Sequence, residues 1–363
     1  MTKNVLYGGK KVKKVEIGTL VLESGKKIPH AELAYERRGP LDAPVLLICH
    51  ALTGSQYAVG TDQEPGWWGG LIGRGRPVDT EKYQMITFNV IGGCYGSTGP
   101  QSMNPETSKP YRMDFPAITI RDMVHAERKA LDKLGIGKIK AVIGGSLGGM
   151  QALEWGLLYP DDMEQIFVLA STPYYSDYGI AFNEIGIAAI ENDPAWKNGH
   201  YRSSAEVKGL EIARMAGMVT YRSAALFKNR FGRAVKETKN GVSVFETASY
   251  LRYQGKKLSA RFDANSYLYL LRAMNTHDIG VGRGGWKKAA ARYKAEVFAY
   301  SFEHDLLFPP EEIETFARTV KHGEYFFIPT EYGHDGFLVE FEKWGHLITR
   351  ALEKKDKILV GRS

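Results

Sequence analysis

One segment, Lys140-Ala-Val-Ile-Gly-Gly-Ser146-Leu-Gly-Gly-Met-Gln-Ala-Leu-Glu-Trp, constrains what this chain can fold into more than any other. A run of the buried-strand type over 140–143 passes through Gly-x-Ser-x-Gly straight into a helical pattern over 150–158. Reversing from strand to helix in so few residues strains the backbone, and only small neighbours leave a serine hydroxyl standing clear of it. The pattern predicts a sharp turn at the end of a central strand, with Ser146 as a nucleophile. The competing reading is a glycine-rich turn with an ordinary serine; the strand before it and the helix after it argue against that.

Around this segment the chain alternates strands and helices. Short apolar runs fit buried parallel strands at 45–49, 85–90, 140–143, 166–170, 296–301 and 324–328, with helical patterns at 120–134, 150–158 and 305–320. Such alternation predicts an α/β fold, a mostly parallel sheet covered by helices on both faces. The rhythm stops from 172 to 286, where 206–231 and 264–274 read as helix and no strand of the βαβ kind stands out. The expected organisation is a core in two parts, 1–171 and 287–363, separated by a helical lid over 172–286.

Composition narrows the function classes. With 44% hydrophobic and 25% charged residues, the chain has the makeup of an ordinary globular protein. Its first residues, MTKNVLYGGKKVKKVEIGTL, lack the apolar stretch of a secretory signal, and no run approaches the roughly 20 apolar residues that span a bilayer. A cytoplasmic protein with no membrane partner is expected. The two cysteines, Cys49 and Cys94, have no metal-type spacing and read as buried thiols. Net charge is +7, but Lys and Arg are scattered and no nucleic-acid motif organises them. A modest positive field would help to collect an anionic substrate.

A serine hydroxyl is a poor nucleophile until a base takes its proton, and that base needs a third group to hold its tautomer. The order expected here is serine, acid, histidine. Asp305, in Phe302-Glu-His-Asp305, follows one expected strand and opens the helix over 305–320; its neighbours Glu303 and His304 stay open as alternatives. His334, in Tyr332-Gly-His334-Asp-Gly-Phe, follows the last expected strand and comes after both serine and acid. A structural loop histidine is the plain alternative. Donors for the oxyanion of a tetrahedral intermediate are expected from the amide of Leu147 and from the loop His50-Ala-Leu-Thr-Gly, with Leu52 the candidate. His50 precedes the nucleophile and is read as shaping that loop.

Beyond single motifs, the strings CHALTGS, PGWW, NVIGGCYGSTGP, GGSLGGMQALEW, FDANSYLYL and YGHDGF occur in order across about residues 15–350. Together they resemble the homoserine O-acetyltransferase family. The resemblance implies an α/β-hydrolase core, a helical lid, a homodimer, acyl-CoA and L-homoserine as substrates, and transfer through an acyl-serine. Acetyl-CoA would be a co-substrate, and no metal or tightly held cofactor is implied. Within GLEIARMAGMVTY, the resemblance points to Arg214 and Tyr221 as substrate-binding. Seven positions apart, they would share one helical face; a solvated helix charge is the alternative for Arg214. The resemblance also assigns Asp335 to the substrate amino group, whereas local sequence equally allows it to cap a helix over 337–341. Three departures stand out: Leu147 where Met is frequent, an acid segment without the usual Ser-Asp-Trp, and Val281 where Arg is common. A succinyl donor, a serine acceptor, an esterase or thioesterase, and a non-catalytic protein of the same fold are the remaining readings.

Overall fold

The apolar runs without alternation are buried on both faces, except the last, over 324–328, which is a partly buried edge strand. In the computed structural model, which describes residues 2–7, 10–61 and 63–354, nine strands form one sheet. They are β1 Thr2–Tyr7, β2 Lys10–Val21, β3 Lys27–Arg38, β4 Val45–Cys49, β5 Gln84–Phe88, β6 Ile139–Gly145, β7 Met163–Leu169, β8 Glu296–Phe302 and β9 Gly323–Ile328. The spatial order is β1-β2-β3-β5-β4-β6-β7-β8-β9. The pairings β5·β4, β4·β6, β6·β7, β7·β8 and β8·β9 are parallel; β1, β2 and β3 extend one edge antiparallel. That antiparallel edge is absent from the expected strands.

Successive side chains of a strand point to opposite faces, so each central strand feeds two cores. Leu47 and Cys49 of β4, with Val142 of β6, pack in one core with Met123, Val124 and Leu131 of α1 (Ile120–Lys133) and Met150 and Leu153 of α2 (Leu147–Leu158). Leu46 and Ile48, with Ala141 and Ile143, face the other core with Trp344, Ile348 and Leu352 of a C-terminal helix. These side chains are almost wholly buried. Each of the valine, leucine, isoleucine and methionine side chains contributes about 1.5–3 kcal/mol relative to exposure.

Between β7 and β8 the chain leaves the sheet. Residues 172–286 hold α3 Asp177–Glu191, α4 Lys208–Thr220, α5 Ala224–Phe231, α6 Glu246–Ser259 and α7 Ala264–Asn275. Helix α4 packs against both α3 and α6, and α3 packs against α7. A two-stranded antiparallel hairpin over Val235–Lys239 and Val242–Phe245, not expected from the sequence, interrupts the helices. The core resumes with α8 Trp286–Ala290, β8, α9 Pro310–Thr319 and β9, and ends on α10 Phe341–Glu353, the helix that carries Trp344.

Three helix boundaries differ from expectation. The single helix expected over 206–231 breaks at 221–223, because Ser223 caps α5 by accepting from the Leu226 amide at 3.0 Å. The helix expected from Asp305 begins only at Pro310: a residue before proline is pushed out of the helical region, and Pro309 has ψ 136°. The helix expected over 337–341 does not form. A 3₁₀ segment, Gly333–Leu338, is separated from α10 by Glu340 at φ 50°. Both thiols are buried, as expected.

Candidate active site

Ser146 sits between the last residue of β6 and the first of α2 with φ 57° and ψ −123°. A non-glycine residue held there costs on the order of 1–3 kcal/mol, so the surroundings must impose it. They do so through backbone contacts. The Ser146 amide donates to the Leu169 carbonyl at 3.0 Å, and the Ser146 carbonyl accepts from Met150 at 3.0 Å. A Cβ on Gly144 would lie 2.0 Å from the Gly148 carbonyl oxygen, and one on Gly148 would lie 2.1 Å from that of Cys49. The two glycines of Gly-x-Ser-x-Gly are thus required by main chains that cross too closely for any side chain.

Two further loops at the same end of the sheet meet this serine. His334 Nε2 lies 3.0 Å from Ser146 Oγ, and His334 Nδ1 lies 2.7 Å from Asp305 Oδ2. All three residues are buried. Asp305 is set by a tight turn after β8: its Oδ1 accepts from the Leu307 amide at 2.9 Å and the Phe308 amide at 3.1 Å. It therefore stands in a loop ahead of α9 instead of opening that helix. Glu303, the neighbouring alternative, accepts from the Thr330 amide, and the His304 side chain is about half exposed. The imidazole is stacked on Phe308 and lies against Phe337 and Tyr221. Burial by itself pulls the His334 pKa down, but the adjacent Asp305 carboxylate outweighs it, with a smaller push from Asp335, and the net shift is upward. With Nδ1–H donating to Asp305, Nε2 is the nitrogen left to accept the serine proton.

His50 plays a different part. Buried after β4, it accepts from the Val90 amide through Nε2 at 3.1 Å, while Nδ1 lies 2.7 Å from the Ala51 carbonyl. Burial lowers its pKa to about 4, so the ring is neutral. It ties the 50–53 loop to the chain leaving β5, and Gln151 Nε2 holds the His50 carbonyl from α2. Leu52 on this loop lines the cavity with Ser146. Among the described residues, neither the Leu52 nor the Leu147 amide donates to a backbone carbonyl.

The insertion closes the cavity from above. Arg214, Tyr221 and Asp335 line it together with Ser146 and His334, and its volume is only ≈ 70 Å³. The Arg214 guanidinium lies 5.4 Å from the Tyr221 ring centroid. Tyr221 is the C-terminal cap of α4: its backbone is still helical, with φ −76° and ψ −15°, and its amide donates to the Gly217 carbonyl at 2.8 Å, so it continues the turn pattern that carries Arg214. Its carbonyl accepts from the Asp335 amide at 2.9 Å, which joins the insertion to the His334 loop. Burial raises the Tyr221 pKa, moderated chiefly by the Arg214 guanidinium and less by the neighbouring Tyr267 hydroxyl. Asp335 does not cap a helix: it lies inside the 3₁₀ segment, and its Oδ2 accepts from Arg222 Nε at 3.0 Å.

Arg222 and Tyr267 were not singled out from the sequence. Tyr267 lies within the quoted string FDANSYLYL, and Arg222 directly follows Tyr221, so both were adjacent to residues already marked. What no motif could supply was the pairing of Arg222 with a residue 113 positions away.

Comparisons with known proteins bear on the fold and the family. The family described as alpha/beta hydrolase fold matches residues 44–341. The chain is 45% identical over 352 residues to the homoserine O-acetyltransferase of Symbiobacterium thermophilum, covering 92% of each. Its fold is like that of the homoserine O-acetyltransferase from Bacillus anthracis, with TM-score 0.87, 28% identity and 94% and 97% of the two chains covered. It is also like that of an acetylester hydrolase from Corynebacterium glutamicum, with TM-score 0.82, 25% identity and coverage of 97% and 100%. A strained serine at a strand-to-helix turn, a histidine and aspartate in hydrogen-bonded sequence with it, and near full-length similarity to these relatives lead to one conclusion: this chain belongs to the homoserine O-acetyltransferase family of the α/β-hydrolase fold.

Proposed function

We propose that the chain transfers an acetyl group from acetyl-CoA to the side-chain hydroxyl of L-homoserine through an acyl-serine on Ser146. The observation that carries this reading is the unbroken path Ser146 Oγ to His334 Nε2, Nδ1 to Asp305 Oδ2, ending in a cavity that also holds Arg214 and Asp335. His334 Nε2 takes the Ser146 proton as Oγ attacks the thioester carbonyl. The amides of Leu52 and Leu147 stabilise the oxyanion. Collapse breaks the carbon–sulfur bond, and the departing thiolate takes the proton from His334. Homoserine then gives its hydroxyl proton to His334, attacks the acyl carbon, and releases Ser146 Oγ, which recovers the proton.

The acceptor carries a carboxylate, an ammonium and a reacting hydroxyl. Arg214 is suited to grip the carboxylate in a two-pronged contact, with the Tyr221 hydroxyl beside it. Asp335 is suited to hold the ammonium next to His334. Water competes for the acyl-enzyme, and the small, lidded cavity favours homoserine over solvent. A homodimer in the cytoplasm completes the reading; a cleft lined by Phe227, Phe231, Phe245 and Leu251 on the insertion supports the pairing of subunits.

The likeness to an acetylester hydrolase supports one second reading, transfer of the acyl group to water. Thiol release and product mass decide between them. Purified protein is given acetyl-CoA or succinyl-CoA with homoserine, serine or neither. The proposal expects thiol release to rise steeply with homoserine, best with acetyl-CoA, and O-acetylhomoserine to appear by mass. Release that ignores homoserine makes the chain a hydrolase.

A further inference from the structure

The cavity at Ser146, ≈ 70 Å³, is too small for a nucleotide, so most of an acyl-CoA donor must lie outside it. Thr53, one residue beyond Leu52, lines both that cavity and a second, larger cleft of ≈ 630 Å³. Among the described residues, this cleft is lined by three cations, Arg38, Lys257 and Arg261, against one carboxylate, Glu64, with Tyr57 and Trp67 as its aromatic walls.

The cations differ in how committed they are. Arg38 is spent within the protein, with Nε on Glu36 at 3.1 Å and Nη2 on the Gly60 carbonyl at 2.7 Å. Arg261 is fixed through Nη1, which donates to the Thr53 carbonyl at 3.0 Å and to the Tyr95 hydroxyl, and among the described residues no partner takes its Nε or Nη2. Lys257, in the last turn of α6, is exposed and makes no hydrogen bond or ion pair among the described residues. Trp67 has its nitrogen satisfied by the Ser55 carbonyl at 2.9 Å and its ring fixed against Trp68, so π surface is what it offers the cleft. A positioned guanidinium with free donors, a free ammonium and a fixed indole together suit a phosphorylated purine nucleoside.

We propose that this cleft holds the phosphorylated adenosine end of the acyl-CoA donor, with Lys257 and Arg261 on phosphate oxygens and Trp67 against the base. The thioester end then passes Thr53 to reach Ser146. This rests on the acyl-CoA reading above.

The test compares two donors with the same reacting end. Acylation of Ser146 is followed by rapid quench and mass with acetyl-CoA and with S-acetylpantetheine, which lacks the nucleotide, in wild type and Lys257→Glu. The ratio of kcat/KM for the two donors should favour acetyl-CoA in wild type and fall about tenfold or more in Lys257→Glu, the scale of a lost charge-assisted contact. Adenosine 3′,5′-bisphosphate should compete with acetyl-CoA in wild type and do so far less in the variant. An unchanged ratio with acylation intact overturns the cleft assignment alone. Inhibition by inorganic phosphate as strong as by the bisphosphate overturns the nucleotide assignment. If neither thioester acylates wild-type Ser146, the acyltransferase reading fails and the cleft assignment falls with it.

Discussion

Ser146 and Arg214 face the same cavity, yet they are held there by different means. Around Ser146, position is set by main chain: a parallel strand, a positive φ, two glycines that admit no side chain, and amide donors on the Asp305 carboxylate. Around Arg214, it is set by side chains: a guanidinium against a ring, a tyrosine hydroxyl pair, and the Arg222–Asp335 bridge. Main-chain geometry changes little with side-chain substitution, whereas contacts of the second kind are easily exchanged. On the proposed mechanism, the difference teaches that the reactive half belongs to the fold and the selective half to the insertion. It also explains how an acetylester hydrolase can share nearly the whole architecture.

The comparison breaks most sharply at the reactive half. Ser146→Ala is expected to lower homoserine-dependent thiol release roughly 10⁴-fold or more, and adding His334→Ala should cost less than about a further tenfold, because each acts only through the other. Losses that multiply would show that the two do not form a unit.

A smaller effect is expected where the halves are joined. Glu154 of α2 is buried and accepts from Arg121 Nε at 3.0 Å and from Arg283 Nη1 and Nη2 at 3.0 and 2.7 Å; Arg283 lies in the 172–286 stretch. Burial alone would lower the Arg121 pKa, but the Glu154 carboxylate turns the net shift upward. Glu154→Ala leaves two partly buried guanidiniums without that partner and should destabilise by about 3–5 kcal/mol. Thermal unfolding checks this. A Tm within error of wild type would mean that the join is made by apolar packing alone.

The mildest test concerns Asp335, which belongs to both halves through its amide on Tyr221 and its proximity to His334. Asp335→Asn should raise the homoserine KM about tenfold, the scale of one charge-assisted contact, while Ser146 acylation persists. It should also move the acid limb of acylation. His334 must be neutral to accept a proton, and its raised pKa places the limb above the ordinary imidazole value of 6.5. Asp335 contributes to that rise, so removing its charge shifts the limb to lower pH. An acylation pH profile identical to wild type, with unchanged homoserine KM, would place Asp335 outside the site.

Much of the reactive half was legible in the chain. Apolar runs without alternation marked all six mutually parallel strands, with ends within two residues except at the start of β7, which lies three residues earlier than expected, because strands buried on both faces carry few polar residues. The residues Ser146, Asp305 and His334, chosen by chain order and by their places after strands, are brought within hydrogen-bonding distance of one another. The antiparallel edge was less legible. In β2 and β3, charged and apolar residues are interleaved and the register is interrupted, so neither a clean alternation nor an apolar run appears. The hairpin within the insertion leaves no sequence mark for a related reason: its first strand is exposed throughout, and burial has nothing to imprint on it.

What the sequence by itself determined is whatever depends on near neighbours: the strand-to-helix turn, the glycines that permit it, the βα rhythm, and the chain order of serine, acid and histidine. Tertiary structure alone decided the rest. Arg222 taking the Asp335 carboxylate, Tyr267 reaching Tyr221, and Thr53 bordering two cavities each join segments far apart in the chain. Local patterns record what a residue needs, a partner for a charge or a donor for an oxygen. Which distant residue supplies it is settled only when the sheet and the insertion pack together.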